Sequence, residues 1–221
     1  MQAGCGDCAQ IGTLRGIVTV YHRRLAIRCC TMTKAYNPVK SNNPMVSVVM
    51  ATYNGAALIE QSIDSILSQT YHDFEFIIVD DCSTDNTREI IAAYQDSRLR
   101  VISNETNLGV AAARNRAFSA VRGPYIALID HDDLSFPTRL AKQVAHLQAH
   151  PTTVALGTAS ETLRFGQIDR ASRIPERCDA VQIDWLLHLV NPLVQSSMML
   201  RTAAVRRLAA FMRPEFKYAD D

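Results

Sequence analysis

The chain has 221 residues, 48% of them hydrophobic and 20% charged. That is ordinary globular usage and excludes a disordered, collagenous or fibrous protein. No run of about 18 apolar residues occurs, so no membrane-spanning helix is expected. A net charge of +1 gives no whole-chain case for a nucleic-acid partner.

The first forty residues differ from the rest. Arg15, Arg23, Arg24, Arg28, Lys34 and Lys40 stand there against Asp7 alone, so the remainder is net acidic. Cys5, Cys8, Cys29 and Cys30 crowd the same stretch. Cys5 and Cys8 form a C-x-x-C, but a structural zinc site needs a second spaced pair, and adjacent Cys29-Cys30 is poor geometry for one. With two cysteines in all the rest, the chain is no secreted disulfide scaffold, and a reducing compartment is expected. Ile17–Val20 is too short and too poorly flanked for a secretory signal. Residues 1–43 therefore read as a disordered leader or an over-extended start, with the folded domain at 44–221.

Regular patterning begins at Met45. Val46–Ala51 is an apolar, β-branched run suited to a buried parallel strand. Thr52-Tyr53-Asn54-Gly55 is a turn, and Leu58, Ile59, Ile63, Ile66 and Leu67 recur at helical spacing. Phe74–Val79 is a second strand, closed by Asp80-Asp81. Ser83 or Thr84 can cap a helix running to Tyr94. Leu99–Ile102 is a short third strand, and Gly109–Val121 an alanine-rich helix. Tyr125–Ile129 is a fourth strand, ending at Asp130. Pro137 opens a helix carrying Leu140, Val144 and Leu147, and Val154–Gly157 begins another strand. Alternating units of this length predict an α/β fold with a mainly parallel sheet. Beyond Gly166 the pattern weakens: a helix is expected over 181–189 with Trp185, a strand over 193–200 and a short helix over 202–211. The sequence stops on Asp220-Asp221 with no closing element, which reads as a C-terminal truncation.

Ligands of open α/β sheets bind beyond the carboxyl ends of the strands. Those ends carry Thr52-Tyr53-Asn54, Asp80-Asp81-Cys82-Ser83 and Asp130-His131-Asp132-Asp133. No G-x-G-x-x-G follows the first strand, and no P-loop pattern occurs. Acidic loops repel phosphate directly but hold a divalent cation that binds it, and D-x-D suits that task. His131 is expected to point away from such a cation. Cys82 reads as a small filler, because no basic neighbour is apparent. Arg114, in mid-helix, reads as solvated.

Two stretches carry a family resemblance. "VSVVMATYNGAALIEQSIDSILSQTYHDFEFIIVDDCSTDNTREII" and "NLGVAAARNRAFSAVRGPYIALIDHDDLSFPTRLAKQV" closely resemble family 2 glycosyltransferases, the inverting GT-A group. The likeness runs from about Val46 to Asp221. It implies a GT-A, Rossmann-like, mainly parallel sheet flanked by helices, with a nucleotide-binding part at 44–133 and an incomplete acceptor-side part at 134–221. By the same resemblance Ala51 and Tyr53 match the first nucleotide-contacting turn, Asp81 the carboxylate that reads the base, and Gly109 a further position lining the nucleotide. Asp130 and Asp132 match the D-x-D that handles ribose and metal-diphosphate, with Asp132 the more direct ligand of Mn²⁺ or Mg²⁺. "EFKYADD" resembles the acidic motif of the catalytic base, so Asp221 matches the base and Asp220 stands where glutamate is usual. Gln195 stands where many members have histidine.

The resemblance implies transfer of a sugar from a nucleotide-diphosphate donor to a carbohydrate or lipid-linked acceptor hydroxyl, as in polysaccharide, lipopolysaccharide or glycoconjugate synthesis. A cytoplasmic protein is expected, in reach of the inner face of a membrane. Two other classes stay open: a sugar-nucleotide binder without turnover, and a sugar-phosphate nucleotidyltransferase. The second usually shows a basic, glycine-rich loop after the first strand, which "ATYNGAA" lacks.

Overall fold

A computed structural model describes residues 17–21, 43–164, 167–169, 193–208 and 212. The main sheet has six strands. β2 (Val46–Thr52), β3 (Phe74–Asp80), β4 (Leu99–Ser103) and β5 (Tyr125–Leu128) run parallel in the order β4-β3-β2-β5. β9 (Met199–Arg201) pairs antiparallel with β5, and β6 (Ala155–Leu156) with β9. The parallel strands are apolar throughout because both sheet faces are covered: all seven residues of β2 and all seven of β3 are buried.

Alternation along the strands sorts the core into two layers. Val46, Val48, Met50, Phe76, Ile78 and Ala127 face one way. They meet α1 (Ile59–Leu67) through Ile59, Ile63 and Ile66, α2 (Thr87–Ala92) through Ile91, and α4 (Arg139–Ala149) through Leu140, Val144 and Leu147. Val49, Ile77, Val79, Ile126 and Leu128 face the other way. They meet Ala113, Ala117 and Phe118 of α3 (Val110–Ala120), with Val205 of α5 (Thr202–Val205) on the same side. Ile59, Ile63 and Ile66 are fully buried, worth about 2 kcal/mol each on the usual area scale.

Chain order makes the switch point. From β2 the chain steps outward to β3 and β4, then returns to lay β5 on the other side of β2. The loops after β2 and β5 therefore part in opposite directions, which opens a crevice at their carboxyl ends.

Several late elements differ from the sequence reading. The expected strand over 193–200 is a 3₁₀ turn, Gln195–Ser197, followed by the short β9. The helix expected over 202–211 covers only Thr202–Val205. α2 begins at Thr87 with Asn86 as N-cap, not at Ser83 or Thr84, because Asp85 Oδ1 already accepts from Thr87 N and Thr87 Oγ1. Within the leader, Ile17–Tyr21 is a strand, β1, antiparallel to β7 (Ser160–Arg164), which pairs in turn with β8 (Gln167–Asp169). The expectation of a disordered leader therefore does not hold for these five residues. Their β-branched IVTVY sequence suits an edge strand. The expected helix over 181–189 lies outside the described residues.

At the end of the sheet away from the crevice, Glu75 is a buried hub, its side chain 3% exposed. Oε1 accepts from Ser47 Oγ at 2.7 Å and from the Arg122 amide at 2.9 Å. Oε2 accepts from Arg100 Nη1 at 2.5 Å and Arg122 Nε at 2.8 Å. Burial alone would raise the pKa of Glu75, but the Ser47, Arg122 and Arg100 donors outweigh it and hold the carboxyl below the usual glutamate value. A depressed folded pKa means that this stability is fully present above the unfolded value and is lost as pH falls through the folded one. Glu75→Gln is expected to cost about 2 kcal/mol at neutral pH, the scale of charge-assisted hydrogen bonds. The gap between the two melting temperatures should close as pH falls below the glutamate range. A gap independent of pH would show that the charge is not what holds the hub.

Candidate functional site

The crevice is a cleft of about 430 Å³, within the usual size range for small-molecule sites. Ala51, Thr52 and Tyr53 line it from the end of β2, Asp81 from the end of β3, and Asp130, His131 and Asp132 from the loop after β5. Gly109, Val110, Ala113 and Arg114 line it from the start of α3. The structure thus brings together Ala51, Tyr53, Asp81, Gly109, Asp130 and Asp132, all named from the sequence. Asp220 and Asp221 lie outside the described residues.

The rim is built by loops that bond to one another. Asn54, at φ 52°, accepts from the Thr84 amide at 2.8 Å through its side-chain oxygen. Gly55 N donates to Thr87 Oγ1 at 2.9 Å and Ala56 N to Asp85 Oδ2 at 3.1 Å. Burial acts to raise the Asp85 pKa, but the Thr87 hydroxyl and the Ala56 and Thr87 amides outweigh it and hold the carboxyl below the usual range. Ser62 Oγ of α1 donates to the His131 carbonyl at 2.7 Å. These bonds tie the loop after β2 to α2 and the loop after β5 to α1.

Each carboxylate at a strand end meets a different environment. Asp80 is fully buried and takes Arg88 Nε at 2.5 Å and the Ser83 amide at 3.2 Å. Asp81 is 2% exposed. Its Oδ1 accepts from Asn104 Nδ2 at 2.5 Å and Leu108 N at 3.0 Å, its Oδ2 from Gly109 N at 2.8 Å. Asp81 therefore pins the loop that opens α3, where Gly109 has φ 86°. Open space surrounds the Cβ position of Gly109, so its backbone, not crowding, is what favours glycine.

Asp130 is held on both oxygens. Arg114 Nη2 donates to Oδ1 at 2.5 Å and Ser196 Oγ to Oδ2 at 2.6 Å. The Asp132 carboxylate, by contrast, has no hydrogen-bond or ion-pair partner among the described residues and lines the cleft. Tyr53 is 44% exposed at the other side and presents its ring.

Two expectations need correcting. Arg114 is not solvated: it is 4% exposed, because its position on α3 faces the cleft floor where Asp130 compensates its charge. Cys82 does have a basic neighbour in Arg88, although its thiol donates to the Glu105 carbonyl at 3.4 Å. Cys82 also has φ 65°, a conformation that disfavours residues with a side chain. Ser196 was missed altogether, and no local pattern marks it. His131 also lines the cleft, and its ring packs on Gly55, where a Cβ would stand 2.7 Å from His131 Cδ2 and 2.6 Å from Thr52 Oγ1.

Comparison with known proteins adds the following. The sequence family described as Glycosyl transferase family 2 matches residues 47–208. EpsE of Bacillus subtilis, a protein carrying a glycosyltransferase name, is 39% identical over 175 residues, 77% of this chain and 61% of EpsE. The Escherichia coli UDP-Glc:alpha-D-GlcNAc-diphosphoundecaprenol beta-1,3-glucosyltransferase WfgD is 40% identical over 101 residues, 46% of this chain and 40% of WfgD. The crystal structure of S. aureus TarS 1-349 superposes with a TM-score of 0.65 at 26% identity, covering 79% of this chain and 52% of that one. The chain thus spans less than two thirds of each of these proteins. Among the described residues, no helix is long and apolar enough to cross a membrane.

The Gly55 contact yields a test of the rim. Gly55→Ala should lower stability by about 1–3 kcal/mol, as overpacking a tight site does, since both Thr52 Oγ1 and His131 must move. Chemical denaturation reads this directly. A variant as stable as the parent would mean that the turn and the D-x-D loop are not in contact.

Proposed function

Because the chain belongs to glycosyl transferase family 2, we propose that it transfers a sugar from a nucleotide-diphosphate sugar to an acceptor hydroxyl with inversion, using Mn²⁺ or Mg²⁺. The observation that carries the reading is the unpartnered Asp132 carboxylate in the cleft, beside an Asp130 already neutralised by Arg114. A diphosphate is repelled by a bare carboxylate, whereas a hard cation accepts oxygens from both. Among the described residues no group of three or more His, Cys, Asp or Glu converges as a metal cage. That fits a cation that takes one or two carboxylates and leaves its other positions to phosphates and water. When bound, such an ion supplies Lewis-acid stabilisation of the leaving diphosphate.

The chain's own residues do the rest. The exposed Tyr53 ring offers a flat apolar face to the base. Asp81 shapes the base end through the Leu108–Gly109 amides that it holds. Asp130, locked by Arg114 and Ser196, presents a fixed edge toward the ribose. Asp221, with Asp220 beside it, is the proposed general base that takes the acceptor proton. A uridine donor is supported by the TarS complexes with UDP and UDP-GlcNAc and by the name of WfgD. WfgD also supports a lipid-linked acceptor, and so work at the cytoplasmic face of a membrane.

The test is release of nucleoside diphosphate from UDP-, GDP- and dTDP-sugars with Mn²⁺, alongside calorimetric binding of UDP and GDP. Binding should require the cation, and Asp132→Ala should weaken it about 10- to 100-fold, the scale for losing a metal-site group. Equal affinity in EDTA and in Mn²⁺ would refute the metal role.

A further inference from the structure

The 3₁₀ turn Gln195–Ser197 stands 65 residues and more beyond Asp130 in sequence, yet reaches this first carboxylate of the D-x-D twice. Ser196 donates directly to Asp130 Oδ2 at 2.6 Å. Gln195 acts one bond further off: its Oε1 accepts from Arg114 Nη1 at 2.7 Å, while Nη2 of the same guanidinium bonds Asp130 Oδ1 at 2.5 Å. The guanidinium side chain is 5% exposed. Its planar fork is rigid, so fixing one nitrogen sets where the other points.

We propose that Gln195 is a positioning residue, which orients Arg114 so that Arg114 and Ser196 together fix the plane of the Asp130 carboxylate in the cleft. The inference rests on the donor-site reading above for its functional consequence, and on the geometry alone for the orientation itself. The far end of Gln195 gives the proposal content. Its Nε2 lies 3.7 Å from Met212 Sδ. Asn115, next to Arg114 on α3, clamps Met212 by both backbone groups, Nδ2 to the carbonyl at 2.7 Å and Oδ1 from the amide at 3.0 Å. Consecutive residues of one helix thereby join the D-x-D loop, the 195–197 turn and Met212.

The experiment compares Gln195→Leu, which removes the acceptor at similar volume, with Gln195→Glu, which keeps it. In the full chain labelled with ¹⁵N-arginine, Arg114 should give guanidinium signals of a slowly rotating, protected group, assigned by their loss in Arg114→Lys. Gln195→Leu should abolish that protection and Gln195→Glu should retain it. Affinity for UDP and GDP in Mn²⁺, measured where circular dichroism shows all variants folded, should fall about 10-fold in Gln195→Leu, the scale of one charge-assisted hydrogen bond. Gln195→Glu should restore it. Unchanged Arg114 signals in Gln195→Leu would overturn the proposal. So would parental nucleotide affinity in that variant, or a Gln195→Glu variant as weak as Gln195→Leu. If the parent chain binds neither nucleotide, the donor-site reading fails, and the Arg114 signals still decide the positioning role.

Discussion

A carboxylate buried at the end of a parallel strand must find donors or stay protonated, and this constraint organises the whole working edge of the sheet. Asp80 meets it with Arg88 and Asp81 with two loop amides and Asn104, and the half-buried Asp130 is held in the same way by Arg114 and Ser196. The Asp81 and Asp130 solutions draw in segments distant in sequence. Satisfying Asp81 brings the start of α3 against β3. Satisfying Asp130 brings the 195–197 turn against β5. The cleft is thus what remains between loops already committed to carboxylates. Of the three carboxylates that line it, Asp132 alone has no partner among the described residues.

The sequence showed the parts of this that rest on local pattern. Apolar, β-branched β2 and β3 and the Ile59-Ile63-Ile66 stripe of α1 are periodic signals, and they became strands and a helix where expected. The acidic strand ends could be read from their place after those strands. Arg114 could not, because a mid-helix arginine looks the same whether its partner is water or an aspartate 16 residues on. Ser196 and Gln195 were still less legible: their roles depend on β9 running antiparallel beside β5, a non-local pairing. The same holds for the Ile17–Tyr21 strand, whose partner Ser160–Arg164 lies far along the chain.

Backbone conformation reinforces the carboxylates. Among the described residues, three have positive φ: Asn54 after β2, Cys82 after β3 and Gly109 before α3. All lie in loops at the working edge. At Asn54 the conformation is supported by the Thr84 amide, and at Gly109 by Asp81. Cys82 has a weaker compensation, a 3.4 Å contact from Sγ to the Glu105 carbonyl. Strained loop residues persist where the surroundings over-determine them, and here the cross-bonds between loops do that.

The two ends of the sheet solve the same problem to opposite effect. Glu75, at the far end, faces two arginines and a serine that leave it no unmet charge, and Ser47 there also accepts the Gly123 amide at 2.9 Å. That arrangement fastens the turn before β5 and has nothing left to offer a ligand. At the working end, Arg114 donates to both Asp130 and Gln195, while a second carboxylate stands two residues away. Asp81 at the same end is held by neutral donors alone, and Asp132 has no partner among the described residues. On the proposed reading, a cation entering there meets Asp132 on a rim whose other groups are already fixed, so binding requires little rearrangement of the protein. On the proposed donor-site reading, the internal arginine that holds Asp130 shapes this end of the cleft as much as the aspartate that faces a ligand.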